Sequence, residues 1–260
     1  MKAVTLLSGG LDSATLAYYV KKKLGAEELI CLSFDYGQRH RKELEAAKTI
    51  AGTLGASHYV IRLQVDNDHL AEGMRAVFQA PYADHHQPLA QLLSGSALTD
   101  ESVPVPQGHY AWDNMKVTVV PNRNAIMLSI AYGVAVARKF DKVYFGAHAG
   151  DSSQYPDCRP EFVATLDSAL QIGNQWPDDS RSVPQVEGPF LFLMKASIAG
   201  LAAELGVPIA TTWSCYEGGA VHCGRCGTCV ERREAFELAG VWDPTAYADP
   251  DYWKTVTDGH

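Results

Sequence analysis

Met1-Lys-Ala-Val-Thr-Leu-Leu7-Ser8-Gly9-Gly10-Leu11-Asp12-Ser13 decides how the rest of the chain is read. A short β-type run, Ala3–Leu7, passes through two glycines into a stretch of helical character from Asp12 to Lys23. A strand without polar alternation is one covered on both faces, as in a parallel sheet. The pattern then repeats. Leu29–Phe34 is a second such strand, and Leu44, Ala47, Ala51 and Leu54 recur at helical spacing, with Gly55 suited to the residue after the helix. Tyr59–Val65 is a third strand, Asn124–Phe140 a helix and Lys142–Ala147 a fourth strand. Pro160–Gly173, with Pro160 fit for a first helical position, and Met194–Gly206 complete the helices. Strands alternating with helices predict an α/β fold with a doubly wound, mostly parallel sheet.

The 260 residues allow one large domain with a small appendage. With 47% hydrophobic and 20% charged residues the chain has enough apolar surface for a full core, which excludes disorder over most of its length. A net charge of −8 opposes binding of nucleic acid through its phosphates, while leaving room for small anions held by a few backbone N–H groups. No secretory h-region precedes Ser8, and the longest apolar stretch, Ala125–Ala137, is too short and too interrupted to cross a bilayer. The expectation is a cytoplasmic protein with reduced cysteines and no membrane partner. From about Met74 to Val117 the rhythm breaks, with Pro81, Pro88, Pro104, Pro106, Gly95 and Gly108 and no periodicity. A connection of that length reads as an active-site insertion, or as a surface excursion.

Ser8–Ser13 sits where the first strand gives way to the first helix. Its glycines allow close backbone approach, and the N–H groups of loop and first turn converge where the helix dipole favours negative charge. The lysine of a Gly-x4-Gly-Lys-Ser/Thr loop is missing, which excludes an ordinary P-loop NTPase. The same residues would also suit a plain strand–helix turn capped by Asp12 or Ser13. Its position at the end of a parallel strand favours phosphate binding.

Cys215, Cys223, Cys226 and Cys229 fall within fifteen residues, the last three as Cys223-Gly-Arg-Cys226-Gly-Thr-Cys229. Four thiolates at such spacing suit a closed, structural Zn²⁺ site, one ion per chain. A disulfide pair, an iron–sulfur cluster and unconnected buried cysteines are the competing readings. Residues 211–260 carry 4 Lys+Arg against 8 Asp+Glu, so this segment repels phosphates rather than gripping nucleic acid. The predicted division is a main domain over 1–210, with the insertion at about 74–117, and a C-terminal zinc-binding segment over 211–260.

The hexapeptide Ser8-Gly9-Gly10-Leu11-Asp12-Ser13 resembles the loop of the PP-loop N-type ATP pyrophosphatases. Asp35-Tyr36-Gly37-Gln38-Arg39-His40, Val120-Pro121-Asn122-Arg123-Asn124, Gly146-Ala147-His148-Ala149-Gly150-Asp151, Tyr155-Pro156-Asp157-Cys158-Arg159-Pro160-Glu161-Phe162 and Met194-Lys195-Ala196 follow in order, ahead of the four cysteines. Over roughly residues 2–240 this series resembles the 7-cyano-7-deazaguanine synthase family. Two departures are Asn122, where many relatives have glycine, and a longer insertion around Pro81–Leu93.

The resemblance implies an ATP-dependent carbon–nitrogen ligase of queuosine and deazapurine biosynthesis. In it 7-carboxy-7-deazaguanine is adenylated, ammonia gives the amide, and a second ATP drives the amide to the nitrile. It implies ATP binding by Leu7, Ser8, Gly9, Gly10, Leu11, Asp12, Ser13, Ala14, Thr15, Leu16 and Ala17 and by Arg39, with Mg²⁺ bridging the phosphates through Asp12. Asp12, Arg123 and Lys195 are the catalytic candidates, and His40 is a further cation. Tyr155 is expected to stack on the base and Asp157 to read its N–H edge, unless Asp157 caps the helix near Pro160. Cys158 reads as a small buried residue, because adenylation needs no nucleophilic thiol. Relatives suggest a homodimer. The alternatives are another PP-loop adenylating enzyme with a deazaguanine-type or tRNA acceptor, and a zinc-bearing module that only senses ATP.

Overall fold

A computed structural model describes residues 1–39, 41–63, 95–176 and 183–257. Five strands form one parallel sheet: β1 (Lys2–Leu6), β2 (Glu28–Asp35), β3 (Ser57–Arg62), β4 (Lys142–Tyr144) and β5 (Gln185–Glu187), in the order β3-β2-β1-β4-β5. β1 lies centrally, in register with β2 (Val4 opposite Ile30) and with β4 (Val4 opposite Val143). Alternate residues of these strands enter two separate cores. Ala3, Leu29, Cys31 and Tyr144 face one side; Val4, Ile30, Leu32 and Val143 face the other. That is why the strands read as continuous apolar runs.

The first core is covered by α1 (Leu11–Lys22), α2 (Lys42–Leu54), α6 (Lys195–Leu205) and the end of α7 (Gly227–Leu238). The second is covered by α3 (Arg123–Arg138) and α5 (Pro160–Asn174). Shorter helices among the described residues include α4 (Ala149–Gln154) and α8 (Tyr252–Thr257). Leu11, Leu16 and Val20 of α1 are buried, each contributing ~1.5–3 kcal/mol by leaving water. Gly55 and Gly206 end α2 and α6 in the left-handed conformation, as helix-terminating glycines do.

The doubly wound parallel sheet is as expected, with differences at its edges. The fourth strand stops at Tyr144, because Phe145 turns to bond Glu187 and His148 caps the new helix α4. β5 is three residues long and carries no pattern of its own; it exists because its neighbour β4 offers a free edge. α7 went unread among the cysteines. Asn122 has φ 55°, a left-handed conformation that favours glycine and that asparagine tolerates best among the rest, which accounts for the substitution there. The Pro81–Leu93 part of the insertion lies outside the described residues. The part from 95 onward packs between the loop after β2 and the cysteine segment. Leu98 accepts from the Arg39 N–H at 2.9 Å, and Gly108 donates to Arg225 at 2.9 Å.

The C-terminal segment is fastened from within. Arg232 of α7 is fully buried, and its guanidinium bonds Asp243 Oδ1 and Oδ2 (3.1 and 3.2 Å), Thr212, Thr245 and the Ile209 carbonyl. Asp243 also accepts from Tyr247 at 2.6 Å. Removing one member of such a pair leaves an uncompensated buried charge. Arg232→Leu is therefore expected to lower unfolding free energy by ~3–5 kcal/mol in a urea titration, with Asp243→Asn close behind.

Candidate active site

The loop after β1 is shaped by contact. Gly9 has φ +97°, and a Cβ there would lie 2.0 Å from the Glu43 carbonyl in the first turn of α2, so only glycine lets the two backbones meet. The Gly9 carbonyl accepts from Trp213 N–H at 2.9 Å. Ser13 Oγ accepts from Ser8 N–H (3.2 Å) and lies 2.9 Å from Ser8 Oγ, so the two hydroxyls brace the turn. The first N–H groups of α1 have no partner within the helix, and Leu11, Asp12 and Ser13 border a cavity of about 260 Å³.

That cavity opens at the carboxyl ends of β1, β2 and β4, the usual place for a ligand in such sheets. Leu7, Ser8, Gly10, Arg39, Arg123, Tyr155 and Lys195 all reach it, so the structure unites most of the candidate residues. Gly9 stands behind the loop against α2, and Ala14, Thr15, Leu16 and Ala17 are interior residues of α1 that support the site without lining it. His40 lies outside the described residues. The C-terminal segment supplies one wall, through Trp213, Ser214, Cys215, Tyr216 and Thr228.

The cations are held differently. Lys195 Nζ bonds Asp12 Oδ2 at 3.0 Å and Glu231 Oε2 at 2.8 Å. Burial opposes its charge, yet Asp12, Glu231 and Asp151 raise its pKa above the ordinary lysine range. Asp12 is held below the usual carboxylate range despite burial, chiefly by Lys195 and then His148. Its Oδ1 is buried without a hydrogen-bond partner. Arg123 keeps its charge against burial, with the Asp157 carboxylate among the groups that favour it, and its guanidinium lies 6.0 Å from the Tyr155 ring centroid. Arg39 bonds the Glu101 and Val103 carbonyls, so it ties the insertion to the cavity rim. Burial pushes the phenols of Tyr36, Tyr110, Tyr155 and Tyr216 upward, and they stay protonated donors.

Asp157 is not among the residues that line the cavity. Its Oδ2 accepts the Asn124 N–H at 3.1 Å, at the start of α3, where an unpaired helix amide attracts a carboxylate. It serves a helix start, though that of α3 rather than the one near Pro160. Tyr155 keeps its ring on the cavity while its hydroxyl lies 2.8 Å from Thr118 Oγ1. Cys158 is buried, its thiol pushed well up by burial, and its sulfur accepts from Asn124 Nδ2 at 3.2 Å.

Sequence reasoning missed Glu43, Asp151, Tyr110, Tyr216 and Glu231. Asp151 stood inside a quoted motif, and its spacing to His148 was the available signal: Asp151 Oδ2 accepts the His148 N–H at 3.1 Å, and Oδ1 accepts from Tyr110 at 3.1 Å. The others gave none, because their approach depends on which helices pack together.

The four cysteine Sγ atoms lie within 4.8 Å of one another. Cys223 Sγ accepts N–H bonds from Arg225 (3.4 Å) and Cys226 (3.2 Å), and Cys215 Sγ accepts from Cys223 (3.3 Å). Backbone donors aimed at sulfur stabilise thiolate. Gly224, at φ +80°, has no room for a Cβ, which would lie 1.9 Å from the Asp249 carbonyl. A four-thiolate set of this compactness fits one Zn²⁺. Trp213 and Tyr216 pack against the group, which thereby abuts the cavity wall.

Residues 2–240 match the family described as Queuosine biosynthesis protein QueC. The chain belongs to the QueC family. The 7-cyano-7-deazaguanine synthase of Rhizobium rhizogenes is 49% identical over 261 residues, covering 100% of this chain and 97% of that protein. The synthase of Ruegeria pomeroyi is also 49% identical, over 100% of both chains. Among solved structures, an NMN synthetase from Francisella tularensis is similar at 15% identity and a TM-score of 0.43, over 98% of this chain and 84% of that one. The fold assignment rests on the strand order above. Among the described residues no helix is long and apolar enough to cross a membrane.

Glu43 gives the site a pH signature. Burial pushes its carboxyl up from 4.5 to about 7, against the pull of Arg123 and a bond from Gln38. The neutral form is the one the fold favours, so its contribution is complete below the ordinary value and is lost as pH rises through 7. Glu43→Gln is expected to be more stable than the wild type at pH 8 by ~1–3 kcal/mol, and about equal at pH 4.5. Denaturant titrations at the two pH values measure the difference.

Proposed function

We propose that this protein joins 7-carboxy-7-deazaguanine and ammonia at the expense of ATP to give 7-cyano-7-deazaguanine. The observation that carries this reading is one cavity in which an anion-binding loop, Lys195 and Arg123 converge. The full-length likeness to curated synthases supports the choice of substrate over another acceptor or a mere ATP sensor.

In this reading the substrate carboxylate attacks the α-phosphate of ATP, pyrophosphate leaves, and ammonia then displaces AMP. The amide oxygen repeats the attack on a second ATP, and loss of AMP with two protons leaves the nitrile. Charge develops on the departing pyrophosphate and on the α-phosphate. The amides of Leu11–Ser13 and the hydroxyls of Ser8 and Ser13 are preorganised for the first, since the loop is locked against α2 before any ligand arrives. Lys195, held at two points, carries its charge to the second. Donors fixed in this way are worth most in a site closed to water, ~3–4 kcal/mol for one of them. Arg123, ringed by neutral phenols, is placed to take the substrate carboxylate, and the Tyr155 face to receive the flat ring.

Mg²⁺, when bound, neutralises the phosphates and orients them for in-line displacement. The unpartnered Asp12 Oδ1 fits that role as an inner or water-bridged ligand. Zinc is assigned to Cys215, Cys223, Cys226 and Cys229, one ion per chain, with no part in bond making. Cys158 takes no part either, since its thiol is kept neutral by burial.

Protein incubated with ATP, Mg²⁺, ammonium and 7-carboxy-7-deazaguanine is expected to yield the nitrile by mass, with two AMP released for each. Asp12→Ala is expected to keep its fold while turnover falls at least 100-fold, the loss of ~3 kcal/mol of transition-state stabilisation. AMP released without nitrile, or an Asp12→Ala variant that turns over normally, would refute the assignment.

A further inference from the structure

We propose that Glu231 is the positioning residue of the active-site lysine, and that the four-cysteine knuckle is what sets Glu231 in place. The proposal rests on the reading of Lys195 given above and extends the catalytic apparatus into the metal-binding segment.

Lys195 is the first residue of α6 and borders the cavity; Glu231 does not line it. Glu231 therefore acts through the lysine. Its Oε2 accepts from Lys195 Nζ at 2.8 Å, a shorter bond than the 3.0 Å one to Asp12. An ammonium has three donors on a flexible stem, so one acceptor leaves it free to swing and two fix its direction. Asp12 cannot do this alone, because it belongs to the loop whose ligand arrives and departs. Glu231 lies outside that traffic. Its other oxygen, Oε1, stands 3.8 Å from His148 Nε2. His148 Nδ1 accepts the Gly150 N–H at 3.1 Å, which leaves Nε2 to face Glu231 and, at 3.5 Å, Asp151. One oxygen of Glu231 is thus bonded to the lysine while the other faces the buried His148 ring, and the carboxylate is held between the two.

The knuckle determines where that place is. Cys226 is the N-cap of α7, and Cys229 lies in its first turn. At 1.5 Å of rise per residue, Glu231 follows Cys229 by ~3 Å along the axis. No slack separates them. One residue further, Arg232 fastens α7 to Asp243. The helix is pinned in rotation and translation by the cysteines on one hand and Arg232 on the other, and Glu231 is delivered to Lys195 between them.

The test uses Glu231→Gln, which keeps size and one acceptor, and Glu231→Ala. Both are compared with the wild type as isolated and after zinc chelation. Expected for Glu231→Gln are unaltered zinc content and helicity, a KM for ATP within about threefold, and kcat lower by ~10- to 100-fold, the scale of a small misplacement in a reacting group. A second readout is independent of turnover. Acetylation of Lys195 by acetic anhydride, mapped by mass spectrometry against exposed Lys254, is expected to quicken several-fold in both variants and in the chelated wild type. Should Glu231→Ala fail to fold, the isosteric Gln variant decides the matter. Folded, zinc-loaded Glu231→Gln with unchanged kcat and unchanged Lys195 labelling would overturn the proposal. So would chelated protein that labels at the wild-type rate, for the role of the knuckle. If the wild type makes no nitrile, the functional reading fails, and the labelling still judges whether Glu231 holds Lys195.

Discussion

Parallel pairing of β1 between β2 and β4 is the constraint on which the rest depends. It brings the carboxyl ends of the three central strands to one edge, and every residue that borders the cavity is placed relative to that edge. A parallel sheet needs helices on both faces, and each helix returns the chain so that the next strand begins at the far side. The starts of α1, α3, α4 and α6 thereby gather at the edge where strands end. Among these starts, the one after Gly9 and Gly10 brings Leu11–Ser13, whose amides have no partner within the helix, to the cavity, an arrangement that suits an anion, whereas the amides of Asn124, Ala149 and Gly150 are spent on Asp157, Leu193 and His148.

A site made of helix starts is electropositive before any side chain is counted. The side chains then divide into two regions. Toward the loop, Lys195 is compensated by Asp12 and Glu231, a charged arrangement with defined distances. Toward the insertion, Arg123 stands among phenols whose protons burial retains. The first region suits phosphate, whose charge must be met and released. The second suits a flat, neutral heterocycle bearing one carboxylate, since aromatic faces and a single cation match that shape.

The C-terminal segment is small for the work it does. It cannot bury enough apolar surface to hold itself, and its core of Val105, Cys215, Cys226 and Cys229 consists mostly of the cysteines. Four thiols gathered this closely are suited to a metal, whose bonds would replace the missing hydrophobic contacts as they do in other short metal-bound units. Lys42 reinforces the junction, its Nζ 4.6 Å from the Trp213 ring centroid and bonded to the Ala220 carbonyl. Through Trp213, whose N–H meets the Gly9 carbonyl, the segment touches the phosphate loop directly.

The amino-acid sequence by itself determined the sheet, the loop and the gathering of the four cysteines, because each is written in local terms. Unalternating runs mark doubly covered strands, glycines mark a backbone contact, and paired cysteine spacings mark a knuckle. Arg39, Arg123, Tyr155 and Lys195 were legible as candidates for the same reason, each standing in a short motif at the end of a strand or the start of a helix. Only the tertiary structure decided which carboxylates join them. Asp157, the acid inside the quoted Tyr155–Phe162 motif, turned to the amide of Asn124, while Glu43 and Glu231 arrived from positions 31 and 219 residues away from Asp12 in chain order. β5 and α7 belong to the same category. Their residues have no strong periodicity, and they take their form from a vacant strand edge and from anchored cysteines. Local pattern carries information over a few residues, whereas the distance between two buried charges is set by how whole helices pack.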